Sequence, residues 1–231
     1  MKEWIFLIDA DDTVLDFHRT SSSALINAFK ACGLAWKEEY ANAFKNFNDK
    51  LWEALERKEL TRKELVDTRF PRFLQCLKLP SVGEEFNGHY LKYLATHPEY
   101  TEGAEDFLKV VRSLGKIYIV TNGTQWIQNS RFTISGLFNL CEDAFISETA
   151  GADKPAKRYT DYVISHIPNL EKERAIWIGD SLSADIKAAN DANIKSIWYN
   201  PQGKAENGKA KPDYVVRNFE EILEILQKIK K

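Results

Sequence analysis

Cysteine is scarce: the chain has three in 231 residues, Cys32, Cys76 and Cys141, far apart and without a CxxC pair. That spacing argues against a disulfide framework and against a zinc site, and it suits a reducing compartment. Long apolar runs are missing too. None approaches the ~20 residues needed to cross a bilayer, and the first, Trp4 to Ile8, meets Asp9 too early for a secretory signal. Charge of one sign is not in excess either. A formal net charge of −2, with basic residues spread along the chain, leaves no footprint for a nucleic-acid polymer or a membrane surface. Repeats and low-complexity segments are absent. The expectation is a cytoplasmic globular protein with no partner protein implied.

What the chain does have is an alternation. "WIFLID" (4–9) is a short apolar run without polar alternation, as in a strand buried on both faces. Similar runs recur at "KIYIVTNG" (116–123), "DAFIS" (143–147), "RAIWIGD" (174–180) and "KSIWYN" (195–200). Helical spacing fills the intervals, in "EDFLKVVRSL" (105–114), "YTDYVISHI" (159–167) and "SADIKAANDA" (183–192). Strand and helix alternating from about residue 100 predict an α/β fold built on a doubly wound parallel sheet. Residues 18–97 break the pattern with helical stretches only, and Thr61 opens a capping box with Glu64. We therefore expect a sheet domain of residues 1–17 and 98–231, and an inserted all-helical domain of residues 18–97.

Ligands of open α/β sheets bind beyond the carboxyl ends of the strands, and four stretches fall there. "DADDT" (9–13) places Asp9 and Asp11 two apart, on one side if the strand runs through them. An isolated DxD is more often an acidic loop capping a helix; one that directly follows a buried strand is less easily explained so. "VTNGT" (120–124) offers the Thr121 hydroxyl and, at Asn122 and Gly123, backbone N–H groups for an anion. Lys154 precedes a proline and could project into a site, although a lone lysine is usually a surface residue. "IGDSLSAD" (178–185) ends a strand in Asp180 and places Asp185 in the next helix. Carboxylates crowded at strand ends repel unless a cation sits among them. An all-oxygen site made by Asp9, Asp180 and a backbone carbonyl suits Mg2+, which is completed by water and substrate phosphate.

Taken in order, Asp9–Asp11–Thr13, Thr121, Lys154 and Asp180 with Asp185 resemble the four motifs of the haloacid dehalogenase (HAD) superfamily. The helical insertion is similar to that superfamily's first type of cap, the C1 cap. The resemblance implies a Rossmann-like core and a phosphoryl-transfer enzyme that forms an aspartyl-phosphate. It makes Asp9 the nucleophile and Asp11 the acid and base, and has Thr121, the Asn122 amide and Lys154 hold the phosphoryl group. Lys154 then counts as catalytic together with Asp9 and Asp11. Mg2+ would be held by Asp9, the Asp11 carbonyl and Asp180, with Asp185 acting through water or through Lys154. The dehalogenase branch resembles DxYGT at this point and the phosphonate-cleaving branch lacks the acid; "DADDT" fits neither. A phosphatase is expected, a phosphomutase shares the motifs, and a non-catalytic Mg2+- and phosphate-binding module is the third reading.

"NDKLWEALERKELTRKELVDTRF" (48–70) and "GDSLSADIKAANDANIKSIWYNP" (179–201) are similar to a subgroup that dephosphorylates nucleoside monophosphates, especially pyrimidine and noncanonical ones. The pattern departs at Glu102, where many relatives carry proline before Gly103. The resemblance implies a small phosphorylated metabolite as partner, most specifically a nucleoside monophosphate; a general sugar-phosphate or phosphoglycolate phosphatase is the alternative. Trp52 or Phe70 could stack on a base, although Phe70 suits the insertion's own core better; Arg69 could meet a phosphate or a base edge, or form a surface ion pair.

Overall fold

The computed structural model describes residues 3–57, 59–206, 208 and 210–229. Its contacts divide the chain into two compact units, one of residues 1–16 and 99–231 and one of residues 17–98. Among the described residues no helix is long and apolar enough to cross a membrane.

The first unit is a parallel six-stranded sheet in the order β3-β2-β1-β4-β5-β6. Its strands are β1 (Trp4–Ile8), β2 (Gly115–Thr121), β3 (Asp143–Ile146), β4 (Ala175–Gly179), β5 (Lys195–Tyr199) and β6 (Tyr214–Val216). The central strands are mostly apolar because both faces are covered. Phe6 and Ile8 of β1, Ile117 and Ile119 of β2, and Ile176 and Ile178 of β4 enter one core cluster. The alternate residues Ile5 and Leu7, Tyr118 and Val120, and Trp177 enter the other. The expected five strands are all present. The sixth, Tyr214–Val216, went unpredicted.

The second unit is helical: α1 (Phe17–Ala31), α2 (Glu39–Glu56), α3 (Arg62–Cys76) and α4 (Gly83–Thr96). The Thr61 capping box forms, with the Thr61 side chain accepting from the Glu64 N–H and the Glu64 carboxylate accepting from the Thr61 N–H. Phe70 is fully buried and stacks on Phe44 at 5.2 Å, so it belongs to the unit's own core. Among the described residues Arg69 is in no ion pair. It is buried over the Phe70 and Tyr90 rings at 4.8 and 5.0 Å, and one guanidinium N–H donates to Asn48 at 3.2 Å.

Helices α5 (Ala104–Leu114), α6 (Gln125–Ser135), α7 (Ser147–Ala150), α8 (Lys157–His166), α9 (Lys187–Ala192) and α10 (Phe219–Ile229) follow in the sheet unit. α5 and α10 pack on the first cluster and α8 and α9 on the second, which gives three layers. The helix expected over 183–192 is divided. A π turn at Leu182–Ile186 precedes α9, because the Ser181 carbonyl accepts from both the Asp185 and the Ile186 N–H, at 2.9 and 3.1 Å.

Candidate active site

β1 stops at Ile8 rather than running through the acidic pair. The Asp9 N–H still donates to the Ile178 carbonyl at 2.9 Å, which fixes the residue at the sheet's carboxyl end. The chain then folds back: the Ala10 carbonyl accepts from the Val14 and Leu15 N–H groups at 3.0 and 2.8 Å, and Asp12 adopts a φ of 58°. Asp9 and Asp11 therefore take different partners, because a turn rather than a pleat separates them.

Asp9 is buried. One carboxylate oxygen accepts from Lys154 Nζ at 2.5 Å and the other from the Thr13 hydroxyl at 3.2 Å. Burial pushes its carboxyl well above the usual range, Lys154 opposes that rise, and Asp185 and Asp180 add to it. Lys154 is itself buried, and its three N–H bonds go to Asp9, to the Val120 carbonyl at 2.8 Å and to Asp185 at 2.7 Å. Burial alone would lower this ammonium, but Asp185 and Asp9 outweigh it and hold it above its ordinary value. The Asn122 side chain positions the lysine by gripping its backbone from both sides, donating to the Lys154 carbonyl at 3.0 Å and accepting from its N–H at 2.7 Å.

Asp185 meets Lys154 directly. Its other contacts are the Trp177 indole N–H at 3.3 Å and the Ser181 N–H at 3.2 Å. Gly179 makes this possible, since a Cβ there would collide with the Asp185 carboxylate. Asp180 is less enclosed, with its side chain 23% exposed and Lys204 Nζ 3.7 Å away. Burial, then repulsion from Asp185, push its carboxyl up to about 7, against the pull of Lys204 and Lys154. One oxygen each from Asp9, Asp180 and Asp185 lie within 4.8 Å of one another, an all-oxygen donor set that fits a hard divalent cation.

Asp11 faces α6. Its two oxygens accept from Gln128 Nε2 at 2.8 Å and Arg131 Nη1 at 2.5 Å. Gln128 Nε2 also donates to the Thr121 hydroxyl oxygen at 2.9 Å, and its carbonyl accepts from Arg131 at 2.7 Å. Thr121 and Asp11, expected as separate site residues, are thus joined through one amide. Sequence reasoning missed Gln128 and Arg131, both of them 1% exposed. No residue pattern marks them; Gly123 makes room for one, because a Cβ at that position would occupy the space of the Gln128 side chain.

Residues 6–199 match the family described as haloacid dehalogenase-like hydrolase. The chain is 36% identical to the HAD-hydrolase YfnB of Bacillus subtilis over 95% of its length and 94% of the relative's. It is 34% identical to the pyrimidine 5'-nucleotidase PynA of Streptococcus pneumoniae, covering 96% and 94%. The pyrimidine 5'-nucleotidase YjjG of Escherichia coli is 26% identical, with 98% of each chain covered. A crystal structure of YfnB bound to magnesium superposes with a TM-score of 0.92, over 98% of this chain and 99% of that one. The chain belongs to the haloacid dehalogenase-like hydrolases.

Proposed function

We propose that the protein is a Mg2+-dependent phosphomonoesterase that works through an aspartyl-phosphate on Asp9, with nucleoside monophosphates as substrates. The observation that carries the chemistry is a buried carboxylate at a strand end, held by Lys154 beside Asp180 and Asp185. The names of PynA and YjjG support the substrate class. In this reading residues 98–231 with 1–17 are the catalytic domain and residues 18–97 the cap.

Asp9, Asp180 and the Asp11 carbonyl would hold the cation, with Asp185 acting through Lys154. When bound, Mg2+ keeps the carboxylates ionised and opposes the charge of the phosphoryl oxygens. An Asp9 oxygen forms the bond to phosphorus as the ester oxygen leaves, and Asp11 supplies the proton that oxygen needs. Asp11 then takes a proton from the water that cleaves the acyl-phosphate. Thr121 accepts from Gln128, so its own O–H remains available to a phosphoryl oxygen together with the Asn122 N–H. Lys154 has no N–H to spare while it holds Asp9, Val120 and Asp185, so contact with phosphate requires it to release one of them.

Phosphate release from a panel of nucleoside monophosphates and sugar phosphates, with Mg2+ and with EDTA, tests the proposal. We expect release to depend on the metal and to favour pyrimidine nucleotides. Equal rates across the panel would leave a general phosphatase, and no release from any ester would leave a binding module.

Gln128 and Arg131 hold Asp11 in place, so Gln128→Ala should misplace the acid. Well-placed acid–base groups contribute about 10²–10⁴-fold, and we expect roughly a tenfold to hundredfold loss of kcat on a nucleotide. The loss on p-nitrophenyl phosphate should be several-fold smaller, because its phenolate leaves without a proton. An equal loss on both esters would reduce Gln128 to general scaffolding.

A pH effect on stability is also expected. The Asp180 carboxyl is raised to about 7 in the folded, metal-free protein, whereas the unfolded value is about 3.9. Its contribution is fully present below the unfolded value and is lost as pH rises through about 7. The metal-free melting temperature should therefore fall between pH 5 and 8 on account of this group, and added Mg2+ should restore it on the alkaline side. A melting temperature that rises over this interval without metal would contradict it.

A further inference from the structure

Cys32, Glu85 and His89 lie in the helical unit, outside every role assigned above. Cys32 directly follows the last residue of α1, with its N–H donating to the Ala28 carbonyl at 3.0 Å. Glu85 and His89 stand one turn apart on α4, their side chains 3.7 Å from each other. One ligand atom from each of the three, a thiol sulfur, a carboxylate oxygen and an imidazole nitrogen, lies within 4.8 Å of the others.

Two observations mark the cluster as prepared for a cation. First, α1 and α4 are locked together by the Ser21–Tyr90 hydrogen bond at 2.8 Å and by the edge-on contact of Phe29 with Phe86 at 5.1 Å. The two α4 ligands thus stand on a helix packed against α1, and the thiol stands on the turn that directly follows α1. Second, among the described ion pairs Glu85 has only His89 as partner, and that pair is charged only when the imidazole is protonated.

We propose that Cys32, Glu85 and His89 bind one thiophilic divalent cation of the zinc class, with a fourth position left to water. The donor set selects the metal. Sulfur with imidazole and one carboxylate suits Zn2+ or Co2+, whereas Mg2+ requires oxygen throughout. Tetrahedral zinc places its ligand atoms roughly 3.3–3.8 Å apart. The His89 and Glu85 side chains, 40% and 62% exposed, are free to close to that spacing. Binding converts the Cys32 thiol to a thiolate and releases one proton to solvent. The inference does not depend on the phosphatase reading.

The experiment is a Co2+ titration of the full chain, with excess Mg2+ present and a phosphine reductant in place of thiols. A thiolate-to-cobalt charge-transfer band reports on sulfur ligation alone and is blind to the carboxylate site around Asp9. We expect one equivalent of cobalt to produce the band and Zn2+ to displace it. Cys32→Ser should abolish it, while Cys76→Ser and Cys141→Ser should leave it intact. His89→Gln and Glu85→Gln change exposed side chains and should each weaken binding about tenfold or more. The proposal is overturned if no band develops, if the band survives Cys32→Ser, if it follows Cys76 or Cys141, or if neither α4 variant weakens it.

Discussion

Asp9→Asn is expected to cut phosphate release by about four orders of magnitude or more, the scale on which loss of an enzymatic nucleophile is felt, without unfolding the protein. Asparagine has nearly the same shape. Its carbonyl can still accept from Lys154, which also remains paired to Asp185 at 2.7 Å. The exchange removes a carboxylate that burial and two neighbouring acids already disfavour. In the absence of metal the variant should therefore melt at the same temperature as the parent or higher, whereas an ordinary core lesion lowers it. Enzyme that is folded, binds Mg2+ weakly and turns over nothing would carry the nucleophile assignment. Turnover within tenfold of the parent would move that role to another group.

Lys154→Met has the opposite signature, with a loss of both stability and activity. Removing one partner of a buried ion pair leaves an uncompensated charge, at a typical penalty of about 3–5 kcal/mol. Here one ammonium serves two buried carboxylates, Asp9 and Asp185. We expect a deficit of that size in denaturant unfolding of the metal-free protein at pH 7. The deficit should shrink as pH falls, because the abandoned carboxylates take up protons. It should shrink again on adding Mg2+, which substitutes one cation for another. A deficit below 1 kcal/mol that is also indifferent to pH would mean that the network contributes little to folding.

How much of this was legible in the sequence differs from element to element. The central strands announced themselves because a strand covered on both faces needs a nearly continuous apolar run. Tyr214–Val216 did not, since three residues at the sheet's edge are too short to carry a period. The π turn was hidden because it rests on a bifurcated bond to the Ser181 carbonyl, which no residue pattern encodes. Within the site, Asp9 was expected at a strand end, Asp185 in the following helix and Lys154, which taken alone reads as a surface residue, before a proline; the structure joins the three by hydrogen bonds. Gln128 and Arg131 were not, because on α6 they look like ordinary polar positions, and only the approach of the Asp11 turn gives them a task. Arg69 was expected at a phosphate or a base edge, or in a surface pair; it is buried over aromatic rings, a tertiary outcome that local sequence cannot announce. Cys32 illustrates the same limit. Spacing along the chain cannot see that α1 and α4 lie side by side and bring Cys32 close to Glu85 and His89.

The points where the chain leaves and re-enters the sheet unit are neighbours. The Asp16 N–H donates to the Glu99 carbonyl at 2.9 Å, the Thr101 N–H to the Val14 carbonyl at 3.0 Å, and Leu15 forms an antiparallel bridge with Tyr100. Eighty-odd residues therefore hang from a doorway one hydrogen bond wide. A tight hairpin could join its two posts, so the order of the strands does not depend on the helical insertion.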